Sequence, residues 1–214
     1  MKTKLTFDQE RKIEQYLTQK LSEEYFANFD IEIKKSDELG HSHGPGVQKM
    51  VGKLLSEHFD ITYEKDKNGK PKKRSFSDNL IQGHPNNVKF TIINSGSPNL
   101  VSMNRMINHV FNSNNDTYYV TIVHYDIPTQ VLKVNFVNIL QFVESLRYNS
   151  GPGQIMINQE RFYSEYEKYL KNEKPVKDYE QIAKELAPLV ILEREKHIAL
   201  RTKQLKDFKN KYSN

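Results

Sequence analysis

An aspartate, an asparagine and a lysine stand close together in the segment SDNLIQGHPNNVKF. Asp78 lies in a short apolar run, and Asn87 precedes Lys89 by two positions in the next run. Side chains alternate along a strand, so Asn87, Lys89 and Thr91 would share one face. If residues 83–86 form a turn, Asp78 would lie across from Lys89 to Thr91. The spacing therefore predicts that a carboxylate, a carboxamide and an ammonium group converge.

These groups are suited to hydrolysis of a phosphodiester bond with magnesium. The ion is held mainly by carboxylates and activates a water, while a lysine orients that water or stabilises the developing charge. Asp78 supplies one carboxylate, but Asn87 stands at the second position, where its amide oxygen would bind Mg²⁺ without contributing charge. A hairpin with ordinary surface polar residues explains the same spacing, so both interpretations stay open here.

Composition limits the possible classes of protein. The chain has 214 residues, 36% of them hydrophobic, which predicts one domain over residues 1–214. The absence of cysteine excludes disulfides, thiolate zinc sites and cysteine nucleophiles. A net charge of +5 favours a polyanionic partner only slightly. Because there is neither a long apolar run nor a secretory signal pattern, we expect a cytoplasmic protein that does not bind membranes.

Periodicity predicts helices at both ends of the chain and strands between them. Helical spacing covers residues 7–28, about 47–58, a segment capped by Ser97 and Pro98, and the charged region from about 159, with breaks at Pro175 and Pro188. The glycine-rich segment ELGHSHGPG predicts a loop. Strand patterns occur at residues 59–65, 76–81, 88–93, 117–126 and 131–140, and after the NSGPG turn. This order predicts an α/β (α+β) fold with a central mixed sheet of five or six strands flanked by helices.

Four segments, in this order, resemble a known family. RSFSDNLI and NNVKF resemble the acid strand and the (D/E)xK strand of type II restriction endonucleases in the PD-(D/E)xK nuclease superfamily. SPNLVSMNRM is similar to a Pro-Asn-Leu-x-Ser helix of one group of these enzymes, and NSGPGQIMI is similar to its Gly-x-Gly-Gln-Ile segment. The resemblance covers about Gly44 to Arg161. An early glutamate position of the family falls on Gln48, in GPGVQKMVGKLL.

The resemblance implies a restriction-endonuclease-like fold and a homodimer that cuts a short palindromic site in double-stranded DNA, within a restriction-modification system. Mg²⁺ would be bound by Asp78, Asn87 and the carbonyl of Val88, with Lys89 beside it and Gln48 assisting. Because Asn87 and Gln48 are amides where the family has acids, we expect impaired activity. Natural degeneration, a different metal geometry and deliberate inactivation all fit the sequence.

Reading of DNA bases requires amide or basic side chains placed in a groove. The segment RYNSGPGQ offers such residues on a glycine turn, and the start of the helix predicted after Pro98 offers a second set. The lysine-rich loop KDKNGKPKKRS is either a solvated hairpin tip or a third set that contacts phosphates. The candidates are Arg147, Asn149, Ser150 and Gln154; Asn99, Ser102 and Arg105; and Lys72, Lys73 and Arg74.

Two other classes of function compete with this one. A histidine and asparagine metal-finger nuclease would draw on His41, His43, His84, His109 and Asn99. A non-catalytic protein would bind DNA or a partner, and its charged C-terminal helix would be a dimer arm or a solvated face packed on its own domain. That helix is predicted to bury, in part, Leu189, Leu192, Ala199, Leu200 and Leu205.

Overall fold

The computed structural model describes residues 4–26, 36–70, 76–93, 97–126 and 128–212, with side chains of the second range from Gly44 onward. The strands of this part of the chain are β1 (Ile61–Thr62), β2 (Asn79–Ile81), β3 (His84–Ile92), β4 (Asn99–Ser102), β5 (Tyr119–Asp126), β6 (Val131–Asn138), β7 (Leu146–Asn149) and β8 (Gln154–Ile157). The α-helices are α1 (Phe7–Leu21), α2 (Ser36–His58), α3 (Met103–Ile107), α4 (Gln159–Leu170) and α5 (Tyr179–Tyr212).

The chain divides into two compact units. Unit 1 comprises residues 1–98 and 117–140, and unit 2 comprises residues 99–116 and 141–214. The prediction of one domain over residues 1–214 stays a prediction.

Unit 1 contains a mixed five-stranded sheet with α1 and α2, in agreement with the α+β prediction. Its sheet has the order β1-β2-β3-β5-β6. Strands β3 and β5 are parallel, and the other neighbours are antiparallel. The parallel pair lies at the centre of the sheet, and β3 carries both Asn87 and Lys89.

The two helices of unit 1 bury their apolar residues against the sheet. Thr6 caps α1 in a capping box with Gln9, which fixes where the helix begins. The buried cluster combines helix residues with Val88, Val123 and Val134 of the sheet. The helix residues in that cluster are Ile13, Leu17, Leu21, Val47, Val51, Leu54 and Leu55. Their spacing of three and four residues is why the periodicity predicted both helices.

Two predictions about helix boundaries are wrong. The backbone is helical from Ser36, through the segment predicted as a glycine-rich loop, and Pro45 lies inside α2. The C-terminal helix continues through Pro188, whereas Pro175 does lie between two helices, α4 and α5. Glycine and proline lower helix propensity, but propensity is only a weak predictor of where a helix begins and ends.

The hairpin of β2 and β3 has a shorter turn than predicted. Gln82 and Gly83 both have positive φ values, 49° and 79°, as a two-residue type I′ turn requires. Strand β3 therefore starts at His84, and Asn79 pairs with Asn86. Asp78 was predicted to lie opposite Lys89 to Thr91, and this is wrong. Because the turn is short, Asp78 lies across the hairpin from Asn87.

Unit 2 contains a second sheet, of three strands, together with α3, α4 and α5. The strand order is β4-β8-β7, with both pairs antiparallel. A π-helical turn, Asn108–Asn112, follows α3 directly. No helix in the described part of the chain is long and apolar enough to cross a membrane.

The helix predicted to start at Ser97 starts later. Residues Asn99–Ser102 form β4, and Ser102, not Ser97, is the N-cap of α3. The buried residues Leu100 and Val101 lie in β4, while Met103 and Met106 are buried in α3. Apolar residues thus continue across a change from strand to helix, and their spacing resembled one longer helix.

The two glycines Gly83 and Gly52 should respond oppositely to alanine. Gly83 has a positive φ, so Gly83→Ala should destabilise the protein by about 1–2 kcal/mol. Gly52 lies inside α2 and its added Cβ would meet only the Tyr63 hydroxyl at 3.4 Å, so Gly52→Ala should stabilise by about 0.5–1 kcal/mol. Urea unfolding measures both free energies, and equal signs would contradict the assigned turn.

Candidate functional site

The Asp78 carboxylate contacts the backbone of the strand that carries Lys89. Its Oδ2 accepts a hydrogen bond from the Val88 N–H at 2.6 Å, and the Asp78 N–H donates to the Asn86 carbonyl at 2.9 Å. The acid before the hairpin thus lies against the second strand, one residue from the lysine. Its contact is with the peptide group of Val88.

Gln48 reaches the carbonyl of the same residue. Its Nε2 donates to the Val88 carbonyl at 3.2 Å, across 40 positions of sequence. Gln48 is presented by α2, the helix that packs on β3. The structure therefore brings together three of the residues predicted to share a site: Asp78, Gln48 and Val88.

The pairing of β2 with β3 explains this arrangement. Asn79 and Asn86 are the last residues in register between these strands. In an antiparallel pair, peptide groups point outward at alternate residues, so Val88 is the next residue of β3 that faces the side of β2. Beyond the end of β2, the Asp78 carboxylate and the Gln48 amide supply the hydrogen bonds that a longer strand would have made.

Asp78 and Lys89 both ionise in an unfavourable environment. Burial raises the pKa of the Asp78 carboxyl, although the Val88 N–H and the positive charge of Lys89 act in the opposite direction. Burial lowers the pKa of the Lys89 ammonium, and the Asp78 charge partly offsets it. An acid and a base that shift each other's pKa are common in functional sites. Structural ion pairs show the same shifts.

Asn87 is held by a residue that the sequence prediction missed. Its Nδ2 donates to the Tyr118 hydroxyl at 2.9 Å, and its side chain is buried. The Tyr118 hydroxyl also lies 3.4 Å from the Phe76 carbonyl, to which it donates. Tyr118 lies in the run TYYV, where its aromatic character indicated only a strand, so no sequence signal marked it as a neighbour of Asn87.

These side chains do not form the usual ligand set of Mg²⁺. Asp78 is the one carboxylate among the predicted ligands, and the Val88 carbonyl already accepts from Gln48. A hard dication is bound by several charged or carbonyl oxygens, and amides supply less charge than carboxylates. Within the described residues, no group of three or more histidine, aspartate or glutamate side chains is placed to hold a metal.

The predicted base-reading residues of unit 2 meet in its three-stranded sheet. Ser102 pairs with Gln154, and Gln154 pairs with Asn149, so the three residues form one row across β4, β8 and β7. Asn149 Nδ2 also donates to Asn99 Oδ1 at 3.1 Å. Nothing in the sequence indicated that these three segments are neighbours. In the structure they place amide and hydroxyl groups side by side on adjacent strands.

The two faces of this sheet differ in polarity. One face is buried and apolar, and its residues are Val101, Leu146, Ile155 and Ile157. On the other face Arg147 and Asn99 are exposed, while Asn149, Gln154 and Ser102 are partly exposed. Ser150 and Arg105 are exposed, in the β7–β8 turn and on α3. Lys72, Lys73 and Arg74 lie outside the described residues.

The structure describes the side chains of two of the four histidines that the metal-finger alternative would use. His84 is buried in β3, where its Nδ1 lies 2.9 Å from Thr117 Oγ1. His109 lies in the π-helical turn after α3, and the side chains of His41 and His43 lie outside the described residues. His124, which the sequence prediction omitted, is buried in β5, and burial together with Lys133 lowers its pKa to about 3.

The chain matches no protein-family model, and no curated protein matches it.

Two replacements of Asp78 should distinguish the effect of its charge on stability from the effect of its hydrogen bond to Val88. Because folding raises the pKa of this carboxyl, ionisation opposes folding. Asp78→Asn keeps an acceptor for Val88, so it should be more stable than the original chain at pH 7, and this difference should vanish as the pH falls below 3.8. Asp78→Ala leaves the Val88 N–H without this acceptor and should be about 1–3 kcal/mol less stable than Asp78→Asn.

Urea unfolding between pH 3 and pH 8 measures these differences. The exposed Asp207 on α5 provides the matched control, as Asp207→Asn. A loss of stability in Asp78→Asn at pH 7 would show that the carboxylate charge stabilises the fold.

Proposed function

We propose that this chain is a site-specific DNA-binding protein with the architecture of a type II restriction endonuclease, in which hydrolysis of the phosphodiester bond is impaired. The observation that carries the proposal is the row formed by Ser102, Gln154 and Asn149 on the polar face of the sheet in unit 2. In the proposal the DNA is double-stranded and the protein acts as a homodimer at a palindromic site.

The row has the chemistry needed to read base edges. The major groove admits a β-ribbon, and asparagine or glutamine side chains bond adenine at two positions at once. Asn149 and Gln154 lie opposite each other on neighbouring strands, on either side of a tight turn. Arg147 lies on the same face, and its guanidinium group can bind the edge of guanine or a phosphate. The buried opposite face fixes the direction of these side chains.

The hydrolytic part of the proposal concerns Asp78 and Lys89. Both are partly buried in an environment that disfavours their charges, which is a common feature of functional sites. Magnesium-dependent hydrolysis is the reaction that the family resemblance associates with these positions. With amides at Asn87 and Gln48, the ligand set does not fit Mg²⁺, so we propose that binding of DNA exceeds cleavage in this chain.

The competing proposal is a protein that binds DNA without any catalytic ancestry in its site. It is favoured by the hydrogen bonds of Asp78 and Gln48 to Val88, since these contacts have a purely structural use: they satisfy the backbone N–H and C=O of Val88. The two proposals share the three-stranded sheet as the DNA-reading surface and differ in what happens when the two amides are changed into acids.

Alanine at Asn149 or Gln154 should weaken binding to the preferred sequence, identified by selection from random duplexes. Each change should cost about 1–3 kcal/mol and relax the preference at one base pair. Asn112, an exposed asparagine of the same unit, provides the control, because Asn112→Ala should leave sequence preference unchanged. If no sequence is enriched from the pool, site-specific binding is refuted.

The double variant Asn87→Asp with Gln48→Glu should gain activity. The carboxylate introduced at position 48 would face the Val88 carbonyl, and a cation would relieve that repulsion. We expect the metal-free variant to be less stable than the original chain and to be stabilised by Mg²⁺ or Ca²⁺ in thermal unfolding. With Mg²⁺ it should cut plasmid DNA into discrete fragments at least about 10²-fold faster than the original chain.

Adding Lys89→Met to the double variant provides the catalytic control. This triple variant should retain DNA binding and lose cleavage, since the lysine charge is removed and the fold is relieved of a buried ammonium. If the double variant binds its preferred sequence but neither gains cleavage nor responds to metal, the non-catalytic proposal is the correct one.

A further inference from the structure

The last part of α5 is exposed on every side. All residues from Arg194 to Tyr212 are exposed, over a helical length of about 28 Å. This segment, the α5 arm, begins where the helix contacts Asn104 and Tyr148 of the same unit. The prediction of partial burial is wrong for four residues, which are exposed: Leu192, Ala199, Leu200 and Leu205.

Large apolar side chains recur along one side of the arm at intervals of seven residues. Ile191, just before the arm, begins a series that continues with Ile198, Leu205 and Tyr212, and Phe208 lies next to the last two. Each of the five is more than half exposed. A seven-residue interval is the pattern by which one helix packs against another, because it keeps apolar residues along one narrow seam. Soluble proteins rarely leave such a seam uncovered.

We propose that the α5 arm pairs with the α5 arm of a second copy of this chain, in antiparallel orientation. It gives an interface to the homodimer of the proposed function, and the interface is tested separately from DNA binding. Parallel pairing would set Arg201 against the same residue of the partner. Antiparallel pairing centred near Thr202 and Lys203 places Arg201 beside the partner's Leu205, where its aliphatic stem packs on an apolar side chain.

Charge complementarity along the seam supports the same orientation. Glu195 and Lys209 lie on the same flank of the seam, one near each end of the arm. Antiparallel pairing brings Glu195 of each copy next to the partner's Lys209, so two such pairs form. The apolar layers then combine Ile198 with the partner's Phe208, which a parallel pair cannot do.

Net charge predicts how the association depends on salt. The arm from 194 to 212 carries seven lysine and arginine residues and two acidic residues, a net +5. Two such arms repel each other at long range, and salt screens that repulsion. Self-association should therefore strengthen as ionic strength rises, whereas binding of DNA phosphates weakens under the same change.

Sedimentation of two matched leucine variants tests the seam. Leu205 and Leu200 are 55% and 51% exposed, but they point about 140° apart around the helix. Leu205→Ser should weaken dimer formation about 10²-fold, because each dimer loses two buried leucines. Leu200→Ser should leave it unchanged. Both sites are exposed, so both variants should fold.

Disulfide trapping tests the orientation, and the absence of cysteine from the chain makes it unambiguous. Thr202→Cys should crosslink with itself near the twofold axis. Glu195→Cys and Lys209→Cys should crosslink when the two proteins are mixed and neither should do so alone. Efficient crosslinking of Ile198→Cys with itself instead would indicate parallel pairing and overturn the proposal.

Two further results would overturn the proposal. One is a chain that sediments as a monomer at about 100 μM in high salt, a concentration at which even weak pairs associate. The other is an equal loss of association in Leu200→Ser and Leu205→Ser. Sequence-selective DNA binding, measured separately on the same variants, reports on the proposed function and not on this interface.

Discussion

The backbone N–H and C=O of Val88 face outward from β3 at the point where β2 has ended, and buried backbone polar groups have to be hydrogen-bonded. Asp78 and Gln48 provide the two partners, one from the segment before the hairpin and one from α2. Since these contacts join a helix, a hairpin and the centre of the sheet, the position of Lys89 depends on them. Glu14 provides a related contact at the other edge, where it accepts from the Phe136 N–H at 3.1 Å.

The hydrogen bonds of Gln48 and Asn87 also set the charge of the candidate site. An amide at position 48 donates to the Val88 carbonyl, whereas an acid there would present a second acceptor to it. The amide at position 87 likewise donates to the Tyr118 hydroxyl. Both amides make neutral hydrogen bonds in a buried region, which avoids several carboxylates charging close together. The hydrogen bonds of the two amides therefore hold the hairpin without adding a negative charge to the single carboxylate of Asp78.

Residue periodicity predicted the strand segments of the unit 1 sheet and the two helices packed on it, because buried strands and helices have distinct apolar spacings. Periodicity did not predict the turn geometry or the contacts between residues far apart in the sequence. The turn at Gln82 and Gly83 uses a non-glycine residue at positive φ, which pattern alone does not reveal, and this moved Asp78 relative to Lys89. The contact between Asn87 and Tyr118 spans 31 positions, and only the parallel pairing of β3 with β5 brings these residues together.

The charge of the α5 arm also affects how the molecule meets other molecules in solution. The arm carries a net +5, and so does the whole chain, so the remaining residues sum to zero. Within the screening length of roughly 8–10 Å, the seven basic and two acidic residues of the arm give it a positive potential. A polyanion that approaches the arm is therefore attracted to it, and added electrolyte weakens that attraction.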